Sequence, residues 1–205
     1  MKSIIIGSVI TLFAVAACND NKENKVTETH TMNHEMSDSS MGNQMGGTGT
    51  MSSTNGKMSM HNSSMSTVMK SYLQVENALA NDDAKTAATA GNDVALAIAN
   101  LDVSGFTSEQ KKMYEDVKSD IQEHGEHIGS NANKIAHQRE HFETLSQDIH
   151  DLVKATGAGQ AMYYYHCPMY NNNKGANWLS DSKQIKNPYL GKKMSDCGEM
   201  KEELK

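Results

Sequence analysis

TSEQKKMYEDVKSDIQEHGEHI, residues 107–128, is the stretch that decides the fold. Met113, Val117, Ile121 and Ile128 recur at helical steps and fall on one face. Thr107 can accept from the backbone three residues on while Gln110 reaches back, so this helix has a start signal as well as a stripe. Its neighbours read alike. Val68, Tyr72, Val75 and Leu79 form one apolar stripe, and Ala84, Ala87, Ala88, Gly91, Val94, Ala95 and Ile98 form another, of small side chains that permit close packing. Asn81, Asp82 and Asp83 mark the break between those two helices. A fourth helix is expected from about residue 131 through Ile135, Phe142, Leu145, Ile149 and Val153 to Gly157. Short connections then imply an all-α fold, an antiparallel four-helix bundle over 67–157. Residues 158–205 contain both prolines and show little periodicity. They read as an irregular Cys/Met-containing segment of the same domain, held to the bundle by Trp178, Leu179, the run Tyr163, Tyr164 and Tyr165, and two cysteines.

The N-terminus reads as an address. Lys2 precedes an uncharged apolar run over 4–17 that is too short to span a bilayer, and the run ends in Val15-Ala16-Ala17-Cys18. A cysteine directly after two small residues resembles the bacterial lipobox. Residues 1–17 are therefore expected to be a lipoprotein signal peptide and Cys18 the lipidated residue, holding the protein to a membrane of the cell envelope on its periplasmic or exterior side. Loss of Lys2 with the leader takes the formal net charge from −6 to −7. An acidic chain of this kind is a poor nucleic-acid binder.

Residues 18–66 carry no apolar period and read as a disordered tether. Met32, Met36, Met41, Met45, Met51, Met58, Met60 and Met65 lie along it, interleaved with His30, His34 and His61. Exposed thioethers oxidise readily and gain nothing from solvation, which makes Met a poor choice for a plain spacer. Thioethers bind Cu(I) or Ag(I) without losing a proton, and imidazoles suit either copper state, so the tail is expected to capture such ions weakly. Compositional drift in a bland tether is the competing explanation.

Two further clusters carry soft donors. His166, Cys167 and Met169 lie within four residues, and Met194 and Cys197 form a second group. Two thiols and two thioethers suit Cu(I) or Ag(I), and Zn(II) less well. In an oxidising compartment Cys167 and Cys197 can equally close a structural disulfide, worth a few kcal/mol to a segment short of packing. On the helices, His124 falls inside the apolar stripe, His127 at its edge and His141 beside the Phe142 face; they can serve as metal ligands or as hydrogen-bonded packing residues. His137 points well away from that face and is expected in solvent, with His150 on the opposite flank.

From about Tyr72 to Leu204 the chain resembles an uncharacterised helical domain of exported bacterial lipoproteins that is also attached to adaptor subunits of copper/silver efflux systems. The likeness rests on His124-Gly125-Glu126-His127-Ile128, Ile135-Ala136-His137-Gln138-Arg139-Glu140-His141-Phe142, Cys167-Pro168-Met169-Tyr170, Gly175-Ala176-Asn177-Trp178-Leu179, Asn187-Pro188-Tyr189 and Met194-Ser195-Asp196-Cys197-Gly198. A weaker likeness ties Cys167-Pro168-Met169 and Cys197-Gly198-Glu199-Met200 to the short heavy-metal-binding domain of copper pumps. That domain has a His where this chain has Tyr170, and a second Cys that this chain lacks. The resemblance implies copper handling and an efflux adaptor or carrier as partner. The resulting expectation is a non-enzymatic Cu(I)/Ag(I)-binding envelope lipoprotein that sequesters metal or hands it to efflux. The alternative is a metal-free, disulfide-stapled helical scaffold or regulator of an efflux complex. No Cys-x-x-Cys pair, Gly-rich phosphate loop or Gly-x-Ser-x-Gly elbow points to an enzyme.

Overall fold

The computed structural model describes residues 54–204, with side chains from residue 65 onward. Four helices, α1 (Thr54–Ala80), α2 (Ala84–Ala99), α3 (Ser108–Ser130) and α4 (Ile135–Thr156), precede three strands, β1 (Met162–Cys167), β2 (Ala176–Ser180) and β3 (Glu199–Leu204). The apolar stripes point inward as their spacing requires: Val68, Tyr72, Val75, Leu79, Ile121, Ile128, Phe142, Leu145 and Ile149 are fully buried. Helix ends follow local chemistry. Asp83 accepts from the Thr86 N–H at 3.0 Å to start α2, and Thr107 with Gln110 closes a reciprocal capping box at α3.

Polar ties between helix ends fix the antiparallel order. Tyr114, early in α3, donates to the Ile98 carbonyl near the end of α2 (3.2 Å), and Arg139, early in α4, donates to the Leu79 carbonyl at the end of α1 (2.8 Å). The small residues of α2 let α3 come close. A methyl group at Gly91 would sit 2.8 Å from the Gly125 carbonyl oxygen, and one at Gly125 equally near the Gly91 oxygen, so these helices touch backbone to backbone.

Two expectations need correction. Over the described residues the fold is mainly helical, at 60%, but not all-α, because the C-terminal segment contains a three-stranded antiparallel sheet in the order β2-β1-β3. Its strands are short, and β3 is a run of Glu and Lys whose pattern conceals a pairing strand; the pairing partner, not the propensity, makes it one. The second correction is at the N-terminal edge. Helix α1 reaches back to Thr54, inside the expected tether, and Met65 is a core residue, 2% exposed, rather than a tail ligand. The buried Met65 ties this part of the helix to the core, a tertiary gain that Ser/Met composition does not reveal.

The sheet closes over the open side of the bundle. The Tyr72 hydroxyl bonds Ser146 of α4 at 2.8 Å and accepts the Leu179 N–H of β2 at 3.0 Å. Tyr164 stacks on His150 of α4, with ring centroids 3.9 Å apart, which places His150 in the interior. The other face carries Tyr165 stacked on Trp178, and residues 185–198 fold across it. Arg139 ties that flap down: its guanidinium donates to the Pro188 carbonyl (2.7 Å), the Leu79 carbonyl and Asp82 (2.7 Å).

Candidate metal centre

Cys167 ends β1, and its side chain is fully buried on the Tyr165 face. Cys197 arrives from the other direction, just before β3. Asn187 shapes the approach: its buried amide donates to the Cys197 carbonyl (2.6 Å) and accepts the N–H groups of Tyr189 (2.8 Å) and Leu190 (2.9 Å). The Asn187 N–H also donates to the Ser195 carbonyl at 2.8 Å. Gly198 then lets the chain pass Trp178, since a methyl there would meet the indole ring at 2.8 Å. The outcome is two free thiols with their sulfurs 3.4 Å apart.

That spacing is outside the bonded distance of about 2.05 Å and a few tenths of an ångström short of the roughly 3.8 Å that two thiolates adopt on one tetrahedral metal ion, so the sulfurs have to part slightly to share one. Burial pushes the Cys197 thiol up to about 11, and the adjacent Cys167 and Asp196 add to the shift. At neutral pH Cys197 therefore holds its proton, and an ion must displace it to bind.

Not every soft donor named from the sequence joins this pair. His166 neighbours Cys167 on a strand and so faces the other way. Its Nδ1–H donates to Asn177 Oδ1 at 2.7 Å, and the ring lies over Gly175, where a methyl would meet it at 2.4 Å. His166 is thus part of a strand-strand contact, apart from the thiols. Met169 is 49% exposed at the start of a left-handed turn through Asn171, Asn172 and Asn173 rather than folded back on Cys167. Met194 is half-buried and close in chain, its carbonyl accepting the Cys197 N–H at 3.2 Å. Cys18, and the Met and His side chains up to His61, lie outside the described side chains.

A second constellation forms where α3 ends and α4 begins. His124 and His127 project from α3, and His137 and His141 from α4, one turn apart on each helix. The Nδ1 atoms of His124 and His141 are 3.0 Å apart, and Nε2 of His141 is 3.2 Å from Nε2 of His137. The His127 ring stacks on His141 with centroids 4.4 Å apart. One ring nitrogen from each of His127, His137 and His141 lies within 4.8 Å of the others. His137 is thus not simply solvated, as its angle from the apolar stripe implies; it leans along the flank of α4 towards its neighbour one turn on. The sequence signal was the four-residue step from His137 to His141, visible once the stripe is ignored. Glu140 Oε2 accepts from His137 Nδ1 at 3.0 Å. Burial lowers the affinity of His124 and His141 for a proton, and for His141 the three surrounding imidazoles add to the effect.

No curated protein and no solved structure matches the chain. One family model does match, over a span that includes all four of these histidines and stops before β1. Residues 68–161 are similar to the family described as a protein of unknown function, DUF3347.

Proposed function

We propose that this protein is a non-enzymatic, lipid-anchored envelope protein that binds Cu(I) or Ag(I), for sequestration or for hand-over to an efflux adaptor or carrier. The observation that carries the reading is the pair of unbonded thiols, Cys167 and Cys197, 3.4 Å apart. Chain segments separated by thirty residues are steered to that point by Asn187 and Gly198, and a two-sulfur site of this kind favours soft monovalent ions over Mg or Ca. The Met- and His-rich N-terminal run supports the same reading as a weak collector. The lipobox-like Val15-Ala16-Ala17-Cys18 supports the anchor.

The rival is the disulfide-stapled scaffold, which requires the sulfurs to close to bonding distance and retains no ion. A free-thiol count on the mature protein, with Cu(I) competition against a calibrated chelator beside a Cys167→Ser/Cys197→Ser variant, separates the two. Two reactive thiols and one Cu(I) equivalent that disappears in the double variant are expected. An oxidised pair, or equal Cu(I) retention in both proteins, removes the site.

A further inference from the structure

We infer that His127, His137 and His141 form a second metal site, sharing no residue with the thiol pair, that takes a borderline divalent cation of the Zn(II)/Cu(II) class, with His124 and Glu140 orienting its ligands.

The donor set decides the class. Three imidazoles without sulfur suit Zn(II), Cu(II) or Ni(II) and give no preference for a soft monovalent ion. Three protein ligands also leave a coordination position open to water or another donor. The geometry requires only small movements. Zn–N bonds of about 2.0–2.1 Å place ligand nitrogens roughly 3.3 Å apart in a tetrahedral site. His137 Nε2 and His141 Nε2 are already 3.2 Å apart. His127 has to swing off the face of His141, which its half-exposed side chain is free to do.

Hydrogen bonds behind the ligands show how the rings are wired. Glu140 accepts from His137 Nδ1, so that nitrogen carries the proton and the Nε2 lone pair faces His141. Without an ion, His141 Nε2–H then donates to His137 and His141 Nδ1 accepts from His124. With an ion on His141 Nε2, the His141 proton moves to Nδ1 and His124 Nδ1 becomes the acceptor. His124 matches either state by changing tautomer. A carboxylate behind a ligating imidazole is an arrangement that fixes ligand orientation at metal sites; Glu140 takes that place behind His137, and the His124 ring stands in the same position behind His141. Packing alone requires no such wiring: these rings lie at the edge of the bundle, where His127 and His137 are each more than two-fifths exposed, and water could serve them.

The test uses the full mature chain carrying Cys167→Ser/Cys197→Ser, Zn(II) as the probe, and histidine ring-nitrogen NMR as the readout. One Zn(II) equivalent should move the His127, His137 and His141 ring nitrogens to metal-bound positions. His124 should change only its tautomer signature. His127→Gln, at a half-exposed position that leaves the fold intact, and His137→Gln should each weaken this equivalent by about 10- to 100-fold or more, and Glu140→Gln by about tenfold. Zn(II) that leaves these resonances still, or binds His127→Gln and His137→Gln as it binds the parent, overturns the proposal. Because the thiols are absent throughout, either result is independent of the Cu(I) reading.

Discussion

Glu76 shows at the level of one residue how this interior departs from simple burial of apolar groups. It lies on α1 with 4% exposure, Oε1 has no partner, and burial, with Asp181 adding, pushes its carboxyl up to about 8 against the opposing pull of Lys186 and Ser180. The folded state therefore keeps a proton that the unfolded chain releases near its ordinary value. For an acid shifted upwards, that difference costs stability as pH climbs from about 4.5 towards 8 and is constant above. Glu76→Gln should leave stability at pH 4 nearly unchanged and raise it at pH 7 by up to about 3 kcal/mol. Urea unfolding at the two pH values checks this, and parallel curves for the two proteins would refute it. Sequence alone read Tyr72, Val75 and Leu79 correctly and passed over Glu76, because a Glu beside a stripe is ordinarily solvated.

Among the elements, α2 and α3 depend on each other most directly. Gly→Ala at an exposed helix position stabilises by about 1 kcal/mol, but a methyl on Gly125 meets the Gly91 oxygen at 2.8 Å and the Ala95 nitrogen at 3.0 Å, neither of which can yield. Gly125→Ala should therefore destabilise by about 1–3 kcal/mol, and a rise in the unfolding midpoint would show that these helices sit further apart. This contact was half legible: the small-residue stripe on α2 announced a close neighbour, while nothing in the order of residues named Gly125 as the partner. The four helices were legible because each has a long apolar period and Thr107 and Asp83 supply caps. The strands were not, since β1 is a short aromatic run and β3 is highly charged, and both are defined by long-range pairing. At the thiol pair the two cysteines stood out by type and their approach did not, since that depends on the turn built by Asn187. His137 is half-exposed, in line with its angle from the stripe, but its approach to His141 was missed because a helix was judged only by its apolar face, whereas the histidines meet along the flank where α3 and α4 form a hairpin.

For the whole molecule, Arg139 is the joint between bundle and C-terminal flap. Its guanidinium, 12% exposed in its side chain, serves carbonyls of residues 79 and 188 and the Asp82 carboxylate, which also accepts the Lys192 N–H at 3.1 Å. Arg139→Met keeps the packing volume of the stem and removes one donor from each acceptor, while Asp82 keeps the Lys192 N–H and the Leu79 carbonyl keeps the Asp82 N–H, at a cost of about 1–3 kcal/mol. Hydrogen exchange should quicken over residues 181–204 and stay slow in α2 and α3; an even change across the chain would mean that the flap is not a separate layer. The one tryptophan of the chain, Trp178, lies fully buried between Tyr165 and Gly198, the residue after Cys197. The protein thus holds its single indole at the seam, and indole can be excited apart from tyrosine: its emission wavelength reports whether the flap is shut, and a heavy ion arriving at the neighbouring sulfurs should dim it without any label being attached.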